Sequence, residues 1–554
     1  MPASLLPVDP HARRAAALIV GFLVLRLAVA AVFPFTIDEA YAVVVSRFPT
    51  LSYFDHPPLA FDFARLAAWL AGTEARFAVR LPHVLSGALA GWLLFLVTAR
   101  AFTREAAFWA VAWYSVAPFF FVSAGMFVVP DGPLNLFLLA TLWLALPMLI
   151  DETPPARATL RWAGAGVMLA LALASKYQAV LFALSAVLIL LATRPGRRAL
   201  ATPGPWIAAA IALTGFAPAL VWNLENGFAS FAFQSARAGE GLALHPGNFA
   251  LMQLGQMAYL LPGTWAVMLW MALRTLSRQR VPHERLFAVI ALVPVAVFDA
   301  IALVSKGNLP HWPMSGFLFA FPLAGLWTAQ NLARLPRAIP RAFKLSAIAV
   351  PLLAFAVAAQ AHWAVFTRPF FDAAPKGDLD WQTIDWTALR ADFAARGILV
   401  DGAATAGVVR PARGASLFLP LKGEVAAKRP EGSEPDTIRT AALASAPPSF
   451  LVARSWSEAA KAGWALGPAI PLAEPLNDPR HFGFMTDPRL GEATRGYAVM
   501  AARPGEGVDA LTRLKMLVFA RYTPTGEEWI VTQTRAGFVS FEMAVVGIGA
   551  FGKP

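Results

Sequence analysis

Runs of Leu, Ala, Val and Phe, several of them close to twenty residues long, recur through the first two thirds of the chain. That is about the length a helix needs to cross a bilayer. Read as spans, they fall at 15–33, 82–99, 105–123, 133–150, 161–174, 177–193, 206–222, 252–273, 286–304, 313–329 and 345–365. The pattern predicts a polytopic α-helical membrane protein of about eleven transmembrane helices. Beyond residue 365 the long apolar runs give way to Gly, Pro, charge and short mixed segments. Residues 366–554 therefore read as one soluble domain. Apolar stretches at 450–453 and 529–531 suggest strands and hence an α/β domain, with loops at 402–414 and Pro447-Pro448. No internal repeat is evident.

Charge tests the span count independently. With a cytoplasmic N-terminus, the inside connections carry Arg13 and Arg14, Arg100 and Arg104, Arg157 and Arg161, Arg194, Arg197 and Arg198, then Arg274, Arg278, Arg280 and Arg285, and finally Arg334, Arg337, Arg341 and Lys344. The outside connections before residue 366 hold far fewer cations: Arg47, Arg65, Arg76, Arg80, Lys176, Arg237 and Lys306. This is the positive-inside bias, and a wrong count would scramble it. An odd number of spans places 366–554 outside, together with a first external loop at 34–81. The first apolar stretch, which follows Arg13-Arg14 and runs past Ala28-Val29-Ala30 to Phe33, reads as a retained helix rather than a cleaved leader.

Composition narrows the function classes. The 554 residues are 58% hydrophobic and only 14% charged, where a soluble domain is nearer a quarter charged. The net charge of +12 belongs to the membrane-anchoring loops, and no aromatic-plus-basic platform points to nucleic acid. The chain has no cysteine, which excludes disulfides, thiolate metal sites and a Cys nucleophile.

Polar groups gather in the outside connections, where ionisable side chains at membrane depth are costly and mark function. The first external loop holds Asp38-Glu39-Ala40-Tyr41 and Tyr53-Phe54-Asp55-His56-Pro57-Pro58-Leu59. Between them lies a candidate interfacial helix, with Tyr41, Val44, Val45 and Phe48 facing lipid. Further outside turns carry Asp131-Gly132-Pro133-Leu134, Ser175-Lys176-Tyr177, Trp222-Asn223, Phe231-Ala232-Phe233-Gln234 and Lys306-Gly307-Asn308-Leu309-Pro310-His311-Trp312-Pro313. Together they predict one external, membrane-facing site.

Asp38-Glu39, Tyr53-Phe54-Asp55-His56-Pro57-Pro58-Leu59, Arg80-Leu81-Pro82, Asp131-Gly132-Pro133-Leu134, Ser175-Lys176-Tyr177 and Leu309-Pro310-His311-Trp312-Pro313, in this order, resemble the motifs of the GT-C class of polyprenyl-phosphate-sugar-dependent glycosyltransferases. The chain is similar to the bacterial branch related to protein O-mannosyltransferases and the lipid A aminoarabinose transferase. The resemblance covers roughly residues 10–330. It implies a transmembrane GT-C domain over 1–365, with 34–81 as its catalytic loop, and a periplasmic domain over 366–554. The implied reaction inverts C1 of a sugar as it passes from a polyprenyl-phosphate carrier to a lipid A, core oligosaccharide or protein acceptor. Asp38 matches the family's first acidic motif and is the expected general base, with Glu39 beside it either orienting Asp38 or the acceptor, or serving as a helix N-terminal charge. Tyr41, Asp55, His56 and Asp131 are expected to bind sugar or acceptor, and Arg80, Lys176, Lys306 and His311 the donor phosphate. No cofactor is certain from the sequence; Asp55 and His56 are open to a sugar hydroxyl or to a divalent metal cation, for which they fall short of a full ligand set. Trp312, Phe231 and Phe233 read as interface anchors more than as sugar platforms. Ala42, where relatives often carry an aromatic residue, is a departure that bears on acceptor packing.

The expected partners are the lipid-linked donor, a glycolipid or protein acceptor and membrane lipids, in a bacterial inner membrane. A multispanning lipid-linked sugar flippase or transporter is the alternative. It is disfavoured because the polar groups lie in connections rather than within helices.

Overall fold

The computed structural model describes residues 9–151, 155–239, 243–277, 282–306, 309–379, 381–399, 449–485 and 487–549. Gly307, Asn308 and the loops expected at 402–414 and Pro447-Pro448 lie outside the described residues. The chain divides into two compact units, Met1–Ala31, Leu51–Ala60 and Arg80–Ala354 in one, and Val32–Thr50, Phe61–Val79 and Phe355–Pro554 in the other.

The first unit is all helix. Every apolar run read from the sequence lies on helix, but not every run is one unbroken rod. Among the described residues seven helices are long and apolar enough to cross a membrane: Pro10–Val32, Arg76–Ala101, Asp131–Ile150, Ala158–Ser175, Gly204–Glu225, Pro282–Val304 and Ala338–Trp363. Two sharply bent pairs, Arg104–Val116 with Phe119–Met126 and Ala179–Ala192 with Arg194–Leu200, bring the number to nine if each is one span. The runs at 252–273 and 313–329 are broken into shorter pieces, Pro246–Leu260 with Pro262–Ser277, and Met314–Phe317, Leu318–Ala320 and Phe321–Asn331. Pro262 and Pro322 explain the breaks: neither can donate a helical hydrogen bond, and Leu261 takes a positive φ of 69° between the first two pieces.

Polar contacts gather one end of this unit. Arg104 pairs with Asp9 at 3.1 Å, Arg100 with Asp151, and His283 Nδ1 lies 3.0 Å from the Ala101 carbonyl. Asp131 starts a helix whose C-cap is Asp151. Its twenty residues put Asp131 about 30 Å from that arginine-rich end, the thickness of a hydrocarbon core.

Arg26, within the first apolar run, is buried and donates to the Phe120 carbonyl at 3.2 Å. It sits beside the π-helical turn Phe119–Ser123, where the regular ladder is interrupted and carbonyls need outside donors. Its guanidinium also lies 5.8 and 5.7 Å from the rings of Tyr114 and Phe121. Helix Phe321–Asn331 packs on Arg104–Val116 at Gly325, where a Cβ would stand 2.2 Å from the Ala106 carbonyl oxygen, so only glycine permits that approach.

In the second unit, β1 (Ser449–Ala453), β2 (Arg495–Ala502), β3 (Pro524–Arg535) and β4 (Phe538–Gly549) form one sheet in the order β1-β2-β4-β3. β1 runs parallel to β2, and the other pairings are antiparallel. Phe450, Val452, Ala498, Met500, Ala544, Val546 and Ile548 meet Leu514 and Val518 of helix Gly507–Val518 in its core. The α/β reading of the C-terminal region holds. The same unit includes helix Ile37–Ser46, which packs on helix Trp456–Leu466. Tyr41, Val44 and Val45 are buried, which corrects the expectation of an interfacial helix facing lipid. Here helix Trp456–Leu466 supplies the apolar partner that the sequence reading assigned to the bilayer.

Candidate active site

The acidic motif opens helix Ile37–Ser46 in the second unit. Thr36 is its N-cap. Its hydroxyl accepts the Glu39 amide at 3.3 Å, while the Glu39 carboxylate accepts the Thr36 amide at 3.0 Å and its hydroxyl at 2.9 Å. This reciprocal box satisfies donors the first turn would otherwise leave open. Glu39 is thereby fully buried in capping, whereas Asp38 on the same turn is exposed. The two adjacent carboxylates have separate surroundings.

Tyr41 lies one turn on. Its hydroxyl accepts the His481 amide at 3.2 Å, and its ring stands edge-on to Phe61, Trp456 and Phe482 at 6.4, 5.3 and 5.7 Å. Burial alone depresses the His481 pKa to about 3, so this imidazole is neutral. The helix is held further by Arg47, which forms a two-point pair with Glu74 at 2.7 and 2.9 Å and donates to the Gly463 carbonyl. Ahead of it, Lys461 donates to the Phe35 carbonyl, and the Phe35 ring stacks on Trp464 at 4.6 Å.

The first unit carries a second cluster. Asp131 stands at the start of helix Asp131–Ile150, where Pro130 and Pro133 suit the first turn. Lys176 caps the end of helix Ala158–Ser175. An anion at a helix start and a cation at a helix end both complement the macrodipole. The Lys176 ammonium donates to both Asp131 oxygens at 2.9 Å, and the side chains are 5% and 7% exposed.

His311 faces this pair. Burial first, then the positive charges of Lys176 and Arg237, push its pKa down to about 4, while Asp131 opposes them. His311 sits in a turn closed by the Trp312 amide bonding the Leu309 carbonyl at 3.0 Å. Helix Pro246–Leu260 supports that turn through Gly255, where a Cβ would stand 2.4 Å from Pro310. Arg237, on helix Ala229–Gly239, lies 5.2 Å from the Trp312 ring and 5.4 Å from Phe233.

The Asp55-His56 turn belongs to the same unit. The Tyr53 amide bonds the His56 carbonyl at 3.1 Å, and Gln234 donates to the Asp55 carbonyl at 2.7 Å. Phe54 packs on Phe233 at 4.8 Å. Asn223 holds the start of helix Ala229–Gly239 by accepting the Ser230 and Phe231 amides at 3.1 and 3.2 Å, and Tyr177 bonds the Ser230 hydroxyl at 2.8 Å. Asp131, Lys176, His311 and Arg237 are thus one electrostatic group, with Asp55 tied by its carbonyl to the Arg237 helix.

Two expected cations are placed differently. Arg80 is fully buried, donates to the Ala30 carbonyl at 2.9 Å and lies 5.6 Å from the Phe127 ring, bracing two helices. Lys306 is exposed and enters no ion pair among the described residues. No group of three or more His, Asp or Glu gathers among the described residues. Asp55 and His56 alone do not make the coordination set a resident metal needs.

Sequence reasoning missed Arg237 as a site residue, although it counted it among the external cations. The usable signal was the Phe233–Arg237 spacing, which puts ring and guanidinium on one helix face. It also missed Asn135, one turn below Asp131, whose buried amide has no hydrogen-bond partner among the described residues.

Residues 55–222 match the family described as dolichyl-phosphate-mannose-protein mannosyltransferase. No curated protein sequence matches the chain. ArnT from Cupriavidus metallidurans bound to undecaprenyl phosphate superposes with a TM-score of 0.58 at 16% identity, covering 97% of this chain and 98% of that one. Its apo state gives 0.56 at 16% identity and the same coverage. The oligosaccharyltransferase of Archaeoglobus fulgidus gives 0.48 at 13% identity, covering 87% of this chain and 67% of that one. Residues 55–222 are thus similar to the mannosyltransferase family, and over nearly its whole length the chain shares the fold of ArnT from Cupriavidus metallidurans.

Proposed function

We propose that the protein is an inverting membrane glycosyltransferase. It moves a sugar from a polyprenyl-phosphate carrier to a glycolipid or protein acceptor, on the side of a bacterial inner membrane opposite the arginine-rich end. The observation that carries this reading is the buried Lys176–Asp131 pair with half-buried His311 and Arg237 beside it, at the far end of an apolar helical unit. A phosphate leaving group gains negative charge as the glycosidic bond breaks, and fixed cations in a poorly solvated place stabilise it.

In this reading Asp38 is the general base that takes the acceptor hydroxyl proton as oxygen attacks C1. Its exposure puts it within reach of an acceptor, and the capping of Glu39 fixes the turn that presents it. Lys176 and Arg237 serve the donor phosphate, while Asp131 orients Lys176. Neutral His311 donates or accepts a hydrogen bond without adding charge. Asp55 and His56 contact sugar hydroxyls. Arg80 supports the helices that carry the site. Tyr41 holds the catalytic helix rather than the acceptor.

Mass spectrometry of lipid A, core oligosaccharide and envelope proteins from cells with and without the gene tests the reading. A defined sugar mass should vanish without it, return with wild type and stay absent with Asp38→Asn. Unchanged glycans under expressing conditions, or full restoration by that variant, would refute it.

A further inference from the structure

Near the arginine-rich end the membrane unit has an apolar groove of about 330 Å³ that the proposed reaction does not use. It is lined chiefly by Trp113, Gly263, Val267, Trp327, Leu335 and Ile339. Trp113 is nine residues into the helix that starts at Arg104, which puts the groove within about 14 Å of that end. The far cluster of Asp131 and Lys176 lies about 30 Å from the same end.

The groove asks for a hydrocarbon chain. Three of its polar side chains are already satisfied: Trp113 Nε1 donates to Thr328 Oγ1 at 2.9 Å, Thr328 donates to the Ala324 carbonyl at 2.8 Å, and Ser346 donates to the Ala342 carbonyl at 2.9 Å, which leaves Thr264 and Trp327. A Cβ on Gly263 would meet nothing within 4 Å, so the groove is open along that side. Its size is at the lower limit of ligand pockets and suits a chain segment, not a whole lipid.

The charge around it chooses the headgroup. Leu335, Ala338, Ile339 and Ala342 line the groove, and Arg334, Arg337 and Arg341 alternate with them in sequence. All three arginines are exposed and form no ion pair among the described residues. Unpaired cations beside an apolar cleft at a helix end are the pattern that holds an anionic lipid. We infer that this groove binds one acyl chain of an anionic phospholipid from the leaflet at the arginine-rich end, with Arg334, Arg337 and Arg341 holding its phosphate. The site is separate from the proposed transfer chemistry and does not depend on it.

The test is native mass spectrometry of the full-length protein released from nanodiscs containing equal phosphatidylglycerol and phosphatidylcholine with matched chains. Wild type should retain one phosphatidylglycerol in clear preference. Each of Arg334→Gln, Arg337→Gln and Arg341→Gln should lower that preference roughly fivefold. Gly263→Leu should abolish retention of both lipids. Because leucine is a better helix former than glycine and meets open space here, this variant tests the groove without opposing the fold. Equal retention of the two lipids by wild type, retention unchanged in Gly263→Leu, or displacement of the phospholipid by added polyprenyl phosphate would each overturn the assignment.

Discussion

Replacing Lys176 by methionine removes the ammonium that holds both oxygens of Asp131 at 2.9 Å. Neither partner is more than 7% exposed, so water does not replace the lost contact. At an effective dielectric of 20, unit charges about 3 Å apart attract by about 5 kcal/mol. Measured losses on breaking a buried pair run to about 3–5 kcal/mol, so the two routes agree. The helix dipole at Asp131 contributes about 1 kcal/mol, but it acts in wild type and variant alike. Lys176→Met should therefore be destabilised by about 3–5 kcal/mol. Adding Asp131→Asn to Lys176→Met should recover much of it, because the stranded charge is then gone. Unfolding of the full-length protein in mild detergent, followed for wild type, both single variants and the double variant, gives the coupling directly. Additive single effects, or an unchanged melting point for Lys176→Met, would refute the ion-pair reasoning. A stable Lys176→Met variant that still transfers sugar would also remove Lys176 from the phosphate role.

Other predictions follow from the same geometry. Asp38→Asn should lower turnover by about 10²–10⁴ with an unchanged melting point, whereas Glu39→Ala should cost about 1 kcal/mol of stability through loss of the cap; similar kinetics for the two variants would undo their separate roles. Tyr41→Phe should cost about 1–3 kcal/mol, since it leaves the buried His481 amide without its acceptor. A stable Tyr41→Phe protein with impaired acceptor use would instead make Tyr41 a substrate contact. His311 titrates near 4 in the folded protein rather than 6.5, so the unfolded chain binds the extra proton more readily. Its contribution is fully present above pH 6.5 and is lost as pH falls towards 4, a loss of about 3 kcal/mol. His311→Asn should flatten that part of the stability–pH profile, and an identical profile would show that His311 is not the group responsible. Arg237→Ala should weaken donor saturation, while Lys306→Ala should leave it nearly unchanged, as measured with a defined lipid-linked donor.

Much of this was legible in order along the chain. Hydropathy and the Arg-rich connections located every apolar run on helix, because both signals are local and additive over about twenty residues. Asp38-Glu39, Asp131 and Lys176 stood out because charge next to an apolar run needs a reason. The continuity of the spans at 252–273 and 313–329 was harder to read, since one Pro in an apolar run either kinks or ends a helix depending on its neighbours.

What the sequence determined by itself is membrane residence, helical class, the change to an α/β domain and the set of chemically suited residues. These follow from composition and periodicity, which need no partner. Tertiary structure decided the surroundings of each residue. Only folding shows that Glu39 is committed to Thr36 while Asp38 is exposed, because two adjacent carboxylates are identical until a cap claims one. Only folding buries Tyr41, Val44 and Val45 in protein, because an apolar helix face does not specify whether lipid or a domain more than 400 residues further along covers it. And only folding brings Asp131, Lys176, Arg237 and His311 into one field: Coulomb interactions act through space, and separation along the chain carries no record of that distance.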